Sequence, residues 1–309
     1  MTRWHSVVMC AAAGVALTLG SVGAQPPQVK RPADQVFRAA VEMVSLSVTV
    51  TDQKQHHLTD LESKDFVVFE DGAKQDITYF NRTTLPIALS LLIDTSASME
   101  QRLATAQDAA IGFARKLRPQ DLAQVVDFDT RVEILQNFTS DASSLETAIR
   151  GTSAGGSTSM YNALYISLEE LVKIQAKSDD EVRRRAVVLL SDGEDTSSLV
   201  TFEEVLDLAK RSATTIYAIG LQSRESSLAK GFREAEFVLR QRAQETGGRV
   251  FFPQRAEDLG GIYGEIADEL ASQYVLGYAS TNPKRDGAWR RLSVQVGRQG
   301  TTARTKRGY

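Results

Sequence analysis

Ile87-Ala-Leu-Ser-Leu-Leu-Ile-Asp94-Thr-Ser96-Ala-Ser98-Met99 is the stretch on which the reading of this chain turns. An apolar run from Ile87 to Ile93 stops at a carboxylate, Asp94, and hydroxyls follow at Ser96 and Ser98. A run of that length between polar turn residues has the pattern of a buried parallel strand. In open α/β sheets ligands collect just beyond the carboxyl ends of such strands. One Asp and two Ser there are hard oxygen donors, suited to Mg²⁺, Mn²⁺ or Ca²⁺. The same residues also suit the cap of a helix starting near Glu100, and the stretch alone leaves both readings open.

The surrounding chain has 309 residues, 42% of them apolar and 24% charged, with a net charge of −3. Near-neutral charge argues against nucleic acid or an anionic membrane as the main partner. The first 24 residues read as a signal peptide. Arg3 and His5 form a short polar start, Val7 to Leu19 an apolar segment too short to span a bilayer comfortably, and Ser21-Val-Gly-Ala24 the small residues of a cleavage site. An uncleaved anchor is the alternative. Cys10, the single cysteine, lies inside this leader, so the mature product has none and relies on core packing. The sequence thus predicts an extracytoplasmic protein, periplasmic or secreted, with no stable membrane insertion once cleaved after Ala24.

Residues 25–36 are polar and contain proline, a flexible linker. Residues 37–85 read as a small β unit. Val44-Ser-Leu-Ser-Val-Thr-Val-Thr alternates with period two, and Phe66-Val-Val-Phe and Ile77-Thr-Tyr-Phe add strands around a turn at Glu70-Asp-Gly72. From 86 to 272 apolar strands (87–93, 123–128, 186–190, 215–219) alternate with helical segments near 100–117, 143–150, 161–176 and 202–211. Helices near 228–246 and 257–273, with Val250-Phe-Phe between them, complete the pattern. That succession predicts a doubly wound, mostly parallel α/β sheet. Residues 273–309 return to β with Tyr274-Val-Leu-Gly-Tyr, Arg291 to Val296 and a short edge strand over 304–309. The simplest arrangement pairs this tail with 37–85 as a β-sandwich into which the α/β domain is inserted; two separate β flaps would give the same pattern.

Two further loops carry candidate donors. Ala154-Gly-Gly-Ser157-Thr158 brings a glycine pair and a hydroxyl just before a helix, where Thr158 also suits an N-cap. Leu190-Ser-Asp192-Gly ends a second apolar strand in a carboxylate, which also suits a solvated acidic turn. Asp127-Phe-Asp129-Thr130 reads as an ordinary surface strand end. Asp94-x-Ser96-x-Ser98, then Thr158 after a glycine pair, then Asp192, together resemble the metal-ion-dependent adhesion site of von Willebrand factor type A domains. Ser157, interposed between the glycines and Thr158, departs from the direct Gly-Gly-Thr of many members and is the fallback for that position. Asp60-Leu-Glu-Ser-Lys-Asp-Phe, Glu70-Asp-Gly, Tyr274-Val-Leu-Gly-Tyr and Arg307-Gly-Tyr resemble a bacterial family of exported von Willebrand-type proteins abundant in acidobacteria.

The resemblance implies a Rossmann-like fold with Ser96 and Ser98 binding the ion directly, Thr158 directly or through water, and Asp94 and Asp192 orienting the hydroxyls. Mg²⁺ fits this ligand set, with Mn²⁺ or Ca²⁺ as alternatives. An under-neutralised ion would take its missing ligand from an Asp or Glu of another protein. It also implies that the last helix, near 257–273, moves with ligand occupancy. The leading expectation is therefore a metal-dependent protein-binding module rather than an enzyme. A metal-dependent hydrolase or phosphatase is the alternative, but the second carboxylate that aspartyl-phosphate chemistry needs is Ser96 here. His5 leaves with the leader, and His56 and His57 lie in a polar loop. A scaffold with a purely structural metal is the third reading.

Overall fold

The computed structural model describes residues 43–82, 85–174, 183–192, 195–221, 240, 243–253, 255–284 and 286–309. The expected leader, the linker, Cys10 and most of the helix expected over 228–246 lie outside them. The chain opens with β1 (Met43–Thr51), β2 (Phe66–Glu70), β3 (Ala73–Gln75) and β4 (Ile77–Asn81). The α/β region follows as β5 (Ile87–Asp94), α1 (Leu103–Ala114), β6 (Leu122–Phe128), β7 (Val132–Thr139), α2 (Ala142–Arg150) and α3 (Met160–Lys173). It continues through β8 (Arg184–Ser191), α4 (Phe202–Arg211), β9 (Thr214–Gly220), β10 (Val250–Phe251) and α5 (Leu259–Ser272), then gives way to β11 (Tyr274–Ala279), β12 (Leu292–Val296) and β13 (Thr302–Arg304).

The central sheet runs β10-β9-β8-β5-β6-β7 and is parallel except for β7, which pairs antiparallel with β6. All eight residues of β5 are buried. Because side chains alternate across a sheet, Ile87, Leu89, Leu91 and Ile93 pack with α1, α2 and α5, whereas Ala88 and Leu92 pack with α3 and α4. The one buried hydroxyl inside the strand, Ser90, accepts from Gln124 Nε2 at 2.6 Å, while Gln124 Oε1 has no partner among the described residues. The chain leaves β5 towards β6 on one side and later returns to β8 on the other. The sheet therefore reverses order at the carboxyl end of β5, where such sheets open a ligand crevice.

N- and C-terminal strands interleave in two further sheets, β13-β1-β11-β4 and β12-β2-β3. Both sheets share one core, in which Phe66, Phe80 and Tyr274 meet with ring centroids 5.1 to 5.9 Å apart. The β unit is thus a sandwich of both chain ends rather than two flaps. Buried Glu70 ties it together: its carboxylate accepts from the hydroxyls of Tyr278 (2.7 Å), Ser280 (2.7 Å) and Tyr309 (3.0 Å). Three of the motifs singled out in the sequence thus converge on one carboxylate.

The edge strand expected over 304–309 lies earlier, at Thr302–Arg304 against Thr49–Thr51 of β1. Residues 307–309 instead close against Arg290 and Arg291, where a Cβ on Gly308 would sit 2.3 Å from the Arg290 carbonyl oxygen. That close approach is what lets Tyr309 reach Glu70.

Where α5 runs into β11, Glu269 is fully buried. It accepts from Tyr217 Oη at 2.8 Å and Thr49 Oγ1 at 3.4 Å, and forms an ion pair with Arg304. Thr49 and Arg304 belong to the sandwich and Tyr217 to β9, so one carboxylate joins both layers of the molecule. Removing one partner of a buried ion pair strands the other. Glu269→Ala should cost about 3–5 kcal/mol in denaturant unfolding; a loss under about 1 kcal/mol, the worth of an exposed pair, would show that the network carries no such weight.

Candidate metal centre

Asp94 ends β5 with its side chain wholly out of solvent. One carboxylate oxygen accepts from the Ser96 backbone N–H at 2.9 Å and the other from the Ser191 hydroxyl at the end of β8. Burial raises the Asp94 pKa, the hydrogen bonds from Ser191 and Ser96 oppose that shift, and the nearby Asp192 charge adds to it. The chain then turns through a short 3₁₀ segment, Ala97–Met99, that places the Ser96 and Ser98 hydroxyls 3.1 Å apart. Ser98 donates to Asp192 Oδ1 at 2.7 Å. Since that uses its only proton, Ser96 is the donor in the Ser96–Ser98 pair, and lone pairs on both hydroxyls stay available.

No side chain caps this turn, and α1 begins at Leu103 after an uncapped Arg102. The helix-cap reading of Asp94, Ser96 and Ser98 is therefore set aside. Thr158 is not an N-cap either. Ser159 holds that position of α3, and its hydroxyl bonds the Asp129 carbonyl at 2.6 Å. Thr158 is buried and fixed by its backbone to the loop after Asp192: its N–H donates to Thr196 Oγ1 (3.0 Å), and its carbonyl accepts from the N–H of Thr196 (2.8 Å) and Ser197 (3.1 Å). Ser157 is exposed. Asp94, Ser96, Ser98 and Asp192 thus form one hydrogen-bonded chain, and Thr158 is tied by its main chain to Thr196 and Ser197 beyond Asp192, outside that chain.

Arg102 and Thr95, to which the sequence assigns no role, and the Asp127-Phe-Asp129-Thr130 strand end, which it reads as ordinary surface, also border the site. Arg102 Nη1 lies 2.6 Å from Asp192 Oδ2, so the two oxygens of Asp192 are divided between a hydroxyl and a guanidinium. Thr95 is buried and ties the end of β5 to β6 and to the glycine loop: its N–H donates to Phe128 O (2.9 Å), its carbonyl accepts from Gly155 (2.7 Å), and its hydroxyl donates to Asp127. Asp127 is half-buried and accepts from the Thr95 hydroxyl, and burial raises its pKa. Asp129 and Thr130 cradle the glycine turn. Gly156 has φ +72°, and a Cβ there would lie 2.6 Å from Thr130 Oγ1. Gly156 is therefore required both for its backbone angle and for its close approach, whereas a Cβ on Gly155 would meet nothing.

The donor set fits a small hard cation. Metal–oxygen distances of 2.0–2.1 Å in an octahedron put neighbouring ligand oxygens about 2.9 Å apart. The Ser96–Ser98 and Ser98–Asp192 separations, 3.1 and 2.7 Å, straddle that edge. Among the described residues no group of three or more His, Cys, Asp or Glu is placed to hold a metal, so hydroxyls are essential to any such site here.

Without an ion, Asp94 is an expensive charge. Its raised pKa means that its contribution to stability is lost as pH rises from the ordinary carboxylate range through the raised value. Asp94→Asn should therefore raise the melting temperature of the metal-free protein at neutral pH by about 2–4 °C. A lower melting temperature would show that the carboxylate is already compensated.

Residues 89–194 match the family model described as the von Willebrand factor type A domain. An uncharacterized protein of Synechocystis sp. is 33% identical over 113 residues, 36% of this chain but only 26% of that protein. Among solved structures, the vWF domain of the type V pilus tip protein Mfa5 from Porphyromonas gingivalis superposes with TM-score 0.50 at 16% identity, covering 60% of this chain and 95% of its own. A von Willebrand factor type A protein from Catenulispora acidiphila superposes with TM-score 0.51 at 12% identity, over 86% of this chain and 73% of that one. At such identities the likeness is one of fold, and it agrees with the match in sequence. Over residues 89–194 the chain is thus similar to von Willebrand factor type A domains in sequence, and its α/β fold is similar to theirs.

Proposed function

We propose that the protein is an exported, metal-dependent binding module that captures an acidic group of a partner protein. The observation that supports this most is the run of oxygens from Ser96 through Ser98 to Asp192, set beside buried Asp94 at the order reversal of the sheet. Ser96, Ser98 and Thr158 would hold the ion, with Asp94 and Asp192 orienting the hydroxyls; Mg²⁺ suits this set, and Mn²⁺ or Ca²⁺ are the alternatives. When bound, such an ion supplies an electrophilic point with a replaceable water.

Charge explains why the sixth ligand should be acidic. Two carboxylates face the site, and Arg102 already offsets one of them. A divalent cation would leave the group with a net positive charge, which favours a carboxylate over a neutral donor. Ser98 and the Gly156-Ser157 turn are exposed around the site, so a partner's side chain has access. The described histidines, His56 and His57, lie between β1 and β2 and not at this crevice, which supports binding over hydrolysis. Export rests on the leader-like residues 1–24, and no described helix is long and apolar enough to cross a membrane.

Calorimetric titration with Mg²⁺ should show one site in the wild type and none in Asp94→Ala. Unchanged affinity in the variant contradicts the site assignment. Capture of a partner from an envelope extract should occur in Mg²⁺ and fail in EDTA; capture that survives EDTA contradicts the role of the metal.

A further inference from the structure

The far end of the central sheet carries a second site of opposite charge. A cavity of about 200 Å³ opens between the start of β8, the end of α4, the start of β9 and the sandwich strands β1 and β11. Five cations line it, Arg183, Arg184, Arg185, Lys210 and Lys306, and no carboxylate does. Arg184 starts β8 and Ser191 ends it, so the length of the strand, about 23 Å, separates this cavity from the metal centre.

Among the described residues Arg184, Arg185 and Lys306 form no ion pair, while Arg183 donates to Gln120 O at 2.5 Å. Lys210 pairs with Glu245 at 3.2 Å and stacks over Trp289. Arg184 is buried and donates to neutral oxygens, Leu85 O at 2.8 Å and Gln273 Oε1 at 3.5 Å, while its Nε has no partner. Arg185 donates to Ser212 O at 3.0 Å. Lys306 has no ion pair among the described residues, and its ammonium lies 5.6 Å from the Tyr309 ring centre. Burial lowers the pKa of Lys306 to about 8 and, with help from the Arg118 charge, that of Arg184 to about 10; it also lowers that of Arg185. For Lys306 and Arg185 nothing opposes that shift.

Partly buried cations without a counter-ion are costly. A cavity that gathers them, together with hydroxyls from β1 and β9, has the composition of a site for an anion that brings its own negative charge. We propose that this cleft binds a small multivalent oxyanion of the phosphate type. Guanidinium forks and ammonium groups are the side chains that recognise phosphate oxygens, and the Ser47 and Thr214 hydroxyls on the cavity wall can donate to further oxygens. A cavity of this size has room for a phosphate or pyrophosphate group but not for a folded partner. The site draws on both the α/β domain and the sandwich, so occupancy would brace one against the other. Nothing in this reading depends on the metal centre.

The test is calorimetric titration of the protein with inorganic pyrophosphate in buffer free of divalent ions. Saturable binding is expected, weakened at least about tenfold in Lys306→Met through loss of a charged contact and kept in Lys306→Arg. Arg185→Gln gives an independent arm should Lys306→Met fold poorly, and the same loss is expected there. Asp94→Ala should bind pyrophosphate like the wild type, separating this site from the metal centre. No saturable binding up to about 1 mM, wild-type affinity in both Lys306→Met and Arg185→Gln, or loss of binding in Asp94→Ala would overturn the proposal.

Discussion

The carboxylate of Asp94, held between the Ser96 N–H and the Ser191 hydroxyl with no access to solvent, is the constraint around which this molecule is organised. It requires β5 and β8 to end side by side, which the parallel register from Ile87–Arg184 to Ile93–Leu190 delivers. That register is enforced by apolar packing on both faces of the sheet. Thr95 then fastens the β6 turn and the glycine loop to the same strand end. The loops of the crevice are held by bonds to the rigid end of the sheet rather than by their own packing, as suits a site that must present oxygens at fixed spacing.

Electrostatics divide the molecule between two ends. At the carboxyl end of the strands two carboxylates stand within a hydrogen-bonded cluster, with Arg102 balancing one of them. At the amino end of β8 a cleft is lined by five cations and, among the described residues, by no carboxylate. Between them Glu269 binds the last helix of the α/β domain to β1 and β13, so the sandwich is joined to the sheet through a buried charge network rather than a loose linker.

Much of this was legible from the residues. β5 was, because an apolar run interrupted only by Ser90 and ending in Asp has few other structural meanings. α4 appears at its expected bounds because Thr201 and Glu204 form a capping box, with acids in the first turn and Lys210 and Arg211 in the last. β7 was missed: Val132-Glu-Ile-Leu-Gln-Asn-Phe-Thr is a partly exposed edge strand without a clean alternation of burial. The helix expected from Glu100 starts at Leu103, because the site residues use the preceding turn as 3₁₀ structure. Arg102 could not be found by spacing, since only the fold brings it to Asp192. Nor could the meeting of Glu70 with Tyr278 and Tyr309, although each of those motifs drew notice separately.

The central claim is that this oxygen cluster holds a divalent ion. The most direct measurement is an anomalous difference map from crystals of the protein grown with Mn²⁺. The account predicts a single strong peak about 2.1–2.2 Å from the hydroxyl oxygens of Ser96 and Ser98, with Asp192 beside it. A map with no peak there, or with the ion held by other side chains, would contradict it.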